Sequence, residues 1–158
     1  MSQICREGEL LLSFPEEAAV ERLDDQSRRR PEGMKLVDWV VERAEDVLLV
    51  EVKDYAARAA AIPHELVSSQ LVPKVRDSYC FLHLMRRDSK PFRYFVLLEL
   101  PKGLNAALLG RLNDQLAGLL RHEAHEEWKR EYIAGAAIMT LEQWNKHFPE
   151  DPARRDPA

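Results

Sequence analysis

A chain of 158 residues, 46% hydrophobic and 32% charged with only six glycines, has the profile of a folded α/β or α+β domain that can bury a core without disulfides or structural metal. Its 27 acidic and 23 basic residues give a formal charge of −4, which excludes a uniformly basic surface and confines any nucleic-acid contact to local patches. Cys5 and Cys80 share no metal-ligand or redox spacing, no apolar run reaches a membrane span, and the N-terminus carries charges where a signal peptide needs an apolar core. The expectation is a cytoplasmic protein with reduced, buried thiols and no membrane partner.

In chain order, Glu9 to Ser13 reads as a short strand. Ser13-Phe14-Pro15-Glu16 has the form of a helix start, and the helix is predicted over 13–25 with Ala19, Val20 and Leu23 on its apolar face and Glu16 among them. Residues 26–33 carry three arginines and a proline and read as an exposed loop. Two apolar, β-branched strands then flank the polar turn Arg43-Ala44-Glu45-Asp46. Residues 54–61 are alanine-rich, a loop or half-turn. Pro63 opens a second helix in which Leu66, Val67 and Leu71 form the apolar face, with Gln70 in its middle and Lys74 one turn on; Pro73 kinks or restarts it, and it continues to about residue 87. Residues 92–100 are a central strand between two prolines. A long helix is predicted over 104–132, a strand over 133–139, and a capping box at Thr140-Leu141-Glu142-Gln143 starts a last helix through His147. Residues 1–148 form one domain, and 149–158, without apolar content, form a disordered tail. The sum is a mixed sheet flanked by helices, an α/β domain.

The hairpin carries the chemistry. With Glu42 paired to Val47, counting back along both strands sets Asp38 directly opposite Glu51, and alternation puts Lys53 on the face of Glu51. Opposed residues have Cβ atoms roughly 4.5–5.5 Å apart, where two like charges repel. A divalent cation between them removes the conflict. Magnesium prefers oxygen ligands and keeps several waters, so two carboxylates, the Val52 carbonyl and a phosphate oxygen form a sufficient set. Lys53 beside it can orient or deprotonate a water or steady the charge of a phosphoryl transition state.

Asp38, twelve intervening residues, then Glu51-Val52-Lys53 resembles the PD-(D/E)XK nuclease superfamily. The resemblance covers residues 16–100. It implies a restriction-endonuclease-like core of αβββαβ type, an Mg2+ (or Mn2+) ion held by Asp38 and Glu51, and a catalytic Lys53. Gln70, with Lys74, resembles the glutamine that the helix after the lysine strand often supplies, and Glu16 the glutamate that the first helix sometimes supplies. Val37 stands where the motif has proline. The implied activity is metal-dependent hydrolysis of phosphodiester bonds, in DNA rather than RNA.

Two rivals stand beside this reading. One is a nuclease-fold subunit with a vestigial site, serving recognition or assembly in a larger complex, consistent with the acidic balance. The other is an unrelated interaction domain in which Glu51 and Lys53 simply face water. Arg28-Arg29-Arg30 with Lys35, and Arg86-Arg87 with Lys90 and Arg93, are the candidate basic patches. Their modest size points to a homodimer or a complex subunit for gripping a duplex. His122-Glu123-Ala124-His125-Glu126 has its histidines at i and i+3 where a metalloprotease helix needs i and i+4, and reads as a solvated face.

Overall fold

The computed structural model describes residues 1–56, 61–101, 105–123 and 127–157. The chain opens with β1 (Ser2–Glu7) and β2 (Leu10–Pro15), an antiparallel pair joined by Gly8-Glu9. Gly8 adopts φ +57°, which costs glycine little and lets the hairpin turn in two residues. β3 (Ala19–Arg22) follows. The helix expected over 13–25 is therefore replaced by strands: β2 pairs with β1 along its whole length and β3 pairs residue for residue with the next strand, β4 (Trp39–Glu42). So short an apolar run satisfies either period, and partners distant in sequence decide between them.

β4 and β5 (Val47–Asp54) pair from Glu42↔Val47 to Trp39↔Val50, the register counted from the turn. A π-helical turn, Leu66–Leu71, runs directly into α1 (Val72–Leu84), three residues later than Pro63 predicts. Pro73 has no N–H for a carbonyl one turn back, and the Ser69 carbonyl accepts instead from Lys35 Nζ at 3.3 Å. Val72, Val75, Ser78 and Leu82 define the buried face of α1. Residues 57–60, within the predicted loop, lie outside the described residues.

β6 (Phe92–Glu99), α2 (Ala106–Glu123), β7 (Gly135–Met139) and α3 (Leu141–His147) complete the predicted order. α2 is shorter than expected: residues 127–132 are not helical, and the expected solvated face at His122 to Glu126 falls outside the side chains described. Thr140 and Gln143 form the expected capping box. The tail is a correction as well. β8 (Ala153–Arg155) pairs with β2, because the Trp144 indole donates to the Asp151 carbonyl at 2.9 Å and Arg155 binds Asp54 and Glu9. Cys5 is buried, whereas Cys80 is exposed.

The strands form a five-stranded mixed sheet in the order β3-β4-β5-β6-β7, antiparallel through β5 and parallel from β5 to β7, and a three-stranded antiparallel sheet, β1-β2-β8. One face of the large sheet, including Val40, Leu49, Tyr94 and Val96, packs under the π turn, α1 and α2. The other, including Val41, Leu48, Val50 and Phe95, packs on the small sheet and α3. Two asparagines finish strand edges. The Asn113 amide bonds both N–H and C=O of Ile138 in β7, at 2.8 and 3.0 Å. Asn145 does the same for Ala153 in β8, at 2.7 and 2.9 Å.

Candidate active site

Asp38 stands just before β4, and its carbonyl still accepts from the Leu23 N–H at 2.9 Å. Beyond Trp39↔Val50 the β4–β5 pairing ends, and side chains take over the backbone groups it leaves. The Val52 N–H donates to Asp38 Oδ2 at 2.8 Å and the Asp38 N–H donates to Glu51 Oε2 at 3.2 Å. Each carboxylate is thus fixed by an amide of the opposite strand. A residue's N–H and C=O leave a strand on the same side, so the Val52 carbonyl faces the edge where Asp38 lies.

The helical side completes the cluster. Alternation along β5 turns Leu49, Glu51 and Lys53 toward α1, and Gln70 and Lys74, one turn apart, reach back. Lys74 Nζ donates to Glu51 Oε1 at 2.7 Å and stands 4.0 Å from Asp38 Oδ1. Lys53 Nζ donates to Gln70 Oε1 at 3.0 Å and is 3.4 Å from Glu51 Oε1. Four of the five predicted catalytic residues, Asp38, Glu51, Lys53 and Gln70, therefore meet.

Glu16 does not join them. It is exposed in the turn between β2 and β3, and the pairing Ala19↔Glu42 sets that turn at the far end of β4 from Asp38. Four strand residues separate those ends by roughly 13 Å. A different glutamate, absent from the sequence reading, feels the Asp38 charge. Glu7 Oε1 accepts from the Trp39 indole N–H at 3.1 Å and pairs with Arg22, whose guanidinium lies 5.3 Å over the Trp39 ring. Burial, then Asp38, push the Glu7 carboxyl above its ordinary value against the pull of Arg22. Gly8-Glu9 between the short apolar runs Ile4-Cys5 and Leu10 to Leu12 is a turn signal, but does not tell that this turn lies near Asp38.

Glu51 is only 1% exposed. Burial first, and the Asp38 charge second, push its carboxyl up to about 7, with Lys74 and Lys53 acting in the opposite direction. For Lys74, burial works against the ammonium, but Glu51 and Asp38 outweigh it and hold the group above its ordinary value. Near neutrality Glu51 is poised between its two forms while Lys74 stays charged. Tyr94, wholly buried beneath, donates to the Leu71 carbonyl at 3.1 Å; burial, then Glu51 and Asp38, hold its hydroxyl well above the ordinary value.

Among the described residues, no group of three or more His, Cys, Asp or Glu side chains is gathered that could hold a metal ion. Asp38, Glu51 and the Val52 carbonyl are nonetheless an oxygen-only set of the kind magnesium takes while keeping waters. The Lys74 ammonium against Glu51 registers the demand of the pair for positive charge, and a divalent ion would compete with that contact. The basic clusters are largely engaged elsewhere. Arg28 and Arg87 both pair with Glu21, Arg30 with Asp24, Lys90 with Glu42 and Arg93 with Asp46. Among the described residues, no helix is long and apolar enough to cross a membrane. The chain matches no family model, no curated protein and no solved structure.

Proposed function

We propose that this chain is a divalent-metal-dependent nuclease hydrolysing phosphodiester bonds, in DNA rather than RNA, on a restriction-endonuclease-like frame. The succession β3-β4-β5-α1-β6, an antiparallel meander followed by a helix and a parallel strand, supports the frame. The observation that carries the function is the convergence of Asp38, Glu51 and Lys53 at the point where β4 and β5 part, with Gln70 and Lys74 above them.

A magnesium or manganese ion on Asp38, Glu51 and the Val52 carbonyl would supply an acidified water and neutralise charge on the phosphate. The amides of Asp38 and Val52 hold the two carboxylates in place beforehand, so little reorganisation is left for the reaction. Gln70 restrains the Lys53 ammonium, which orients the attacking water or steadies the phosphoryl group. Lys74 brings a second ammonium to the carboxylate pair.

One observation favours the inactive alternative, a recognition or assembly subunit: Lys74 already neutralises Glu51 at 2.7 Å. Incubation of the full chain with plasmid, single-stranded DNA and RNA, with Mg2+, Mn2+ or chelator, separates the two. Metal-dependent cleavage of DNA is expected, lost by a factor on the order of 10²–10⁴ in Lys53→Ala with the melting temperature kept. A Lys53→Ala protein that cuts as fast as its parent refutes the proposal, and a parent that binds metal but cuts nothing selects the inactive reading.

A further inference from the structure

Outside the acidic cluster, a cavity of about 430 Å³ opens beside α1, lined by Arg76, Tyr79, Cys80, Trp128, Lys129, Arg130 and Tyr132. Its volume lies within the roughly 300–1,000 Å³ of small-ligand sites. The aromatic rings form a connected set: Tyr79 meets Tyr132 edge to face at 5.3 Å, and Trp128 meets Tyr132 at 5.6 Å. Tyr79 is also braced by Phe92 at 5.4 Å and by His83, stacked at 6.1 Å. Tyr132 is buried and therefore anchored, whereas Trp128 keeps 47% of its surface exposed. An indole left this open on a braced aromatic floor offers a flat face to a flat ligand.

The three cations narrow the ligand's charge. Arg76, Lys129 and Arg130 are exposed, and no carboxylate is among the described residues that line the cavity; Arg76 Nε also donates to Asp77 Oδ1 at 3.4 Å. A quaternary ammonium group, which aromatic walls otherwise attract, is repelled here. An acidic peptide would use the cations and leave the rings idle. A flat π system joined to an anion uses both, and a nucleotide has that chemistry. The base must be free of its neighbours to present a face, which a duplex does not allow.

We infer that this cavity receives an unstacked base and its phosphate from a single DNA strand. α1 carries both sites on different faces: Lys74 projects to Glu51, and Tyr79, about 8 Å further along the axis and about 140° around it, lies in the cavity wall, so a strand seated in the cavity reaches the acidic cluster by passing around the helix. The inference deepens the nuclease proposal by naming an unpaired strand as the substrate, and rests on it for cleavage but not for binding.

The test is anisotropy of a fluorescein-labelled oligothymidylate with the full chain in chelator, beside a duplex of equal length. The parent is expected to bind the single strand more tightly than the duplex. Trp128→Ala is expected to weaken that binding about tenfold or more with circular dichroism unchanged, Trp128→Phe to restore most of it, and Arg130→Ala to reduce the salt slope by about one. Absence of single-strand binding by the parent overturns the inference, as does a folded Trp128→Ala protein that binds like the parent. Competition by thymidine monophosphate at concentrations matching the oligonucleotide assigns the cavity to free nucleotides and overturns the strand assignment; an oligouridylate preferred to the DNA does the same. Binding lost in Trp128→Ala without magnesium-dependent cleavage leaves this inference standing and removes the nuclease reading. Cleavage with unaltered binding does the reverse.

Discussion

Replacing Glu51 by glutamine tests the electrostatics of the cluster directly. The folded protein holds this carboxyl at about 7 against an ordinary 4.5. A folded value above the unfolded one means that the contribution to stability is fully present below about 4.5 and is lost as pH rises through 7. At about 1.4 kcal/mol per pH unit, that interval corresponds to about 3 kcal/mol, arising mainly from burial of the charge and next from Asp38. Urea unfolding of parent and Glu51→Gln at pH 4, 5, 6, 7 and 8 isolates the effect, since Glu7, Glu99 and Asp151 titrate in both proteins and cancel in the difference. The parent should lose about 3 kcal/mol relative to the variant between the lowest and highest pH. Magnesium or manganese, which binds the ionised form, should restore the parent chiefly above pH 7, by about 2.7 kcal/mol at a concentration one hundred times the dissociation constant, and should leave the variant far less affected. Parallel pH profiles for the two proteins would refute the reasoning.

Further tests bear on neighbouring groups. Lys74→Met removes the cation closest to Glu51 and should destabilise the metal-free protein at pH 8 by about 3 kcal/mol or more, with divalent metal recovering a larger share than in the parent; chelator-insensitive stability would contradict this. Glu16→Ala should alter neither cleavage nor metal-induced stabilisation, and unfolding should shift by less than about 0.5 kcal/mol, because the residue lies in a distant exposed turn. Asn113→Ala strips the amide from both backbone groups of Ile138 and should cost about 1–3 kcal/mol, read as a lower urea midpoint at unchanged slope.

The hairpin was legible because its register follows from turn length and alternation, both local. Once Glu42 faces Val47, the opposition of Asp38 and Glu51 needs no tertiary information. Gln70 and Lys74 were legible as polar residues interrupting an apolar helical face. Residues 13–25 were misread because Ala19, Val20 and Leu23 fit a helical period over too short a span, and what makes them strand is β4, brought alongside by the fold. The tail was misread for a related reason: Ala153 is a small residue that becomes core only because Trp144 and Asn145 hold the backbone around it. The partners of the arginines were hidden as well, since Glu21 serves both Arg28 and Arg87 across long sequence separations.

Asn113 and Asn145 have a consequence for encounters between copies of the chain. Each spends its amide as though it were one residue of an additional strand, so at Ile138 and Ala153 an approaching backbone finds both pairing groups taken. The large sheet is blunted on its β7 side and the small sheet on its β8 side. A continuous ribbon through many molecules needs both margins of one sheet open, and here each sheet has a margin interrupted from within. Neighbouring copies can still join at β3 or β1, but such a junction ends at the asparagine on the far side. Fibril growth from the native state would first have to pull α2 or α3 away.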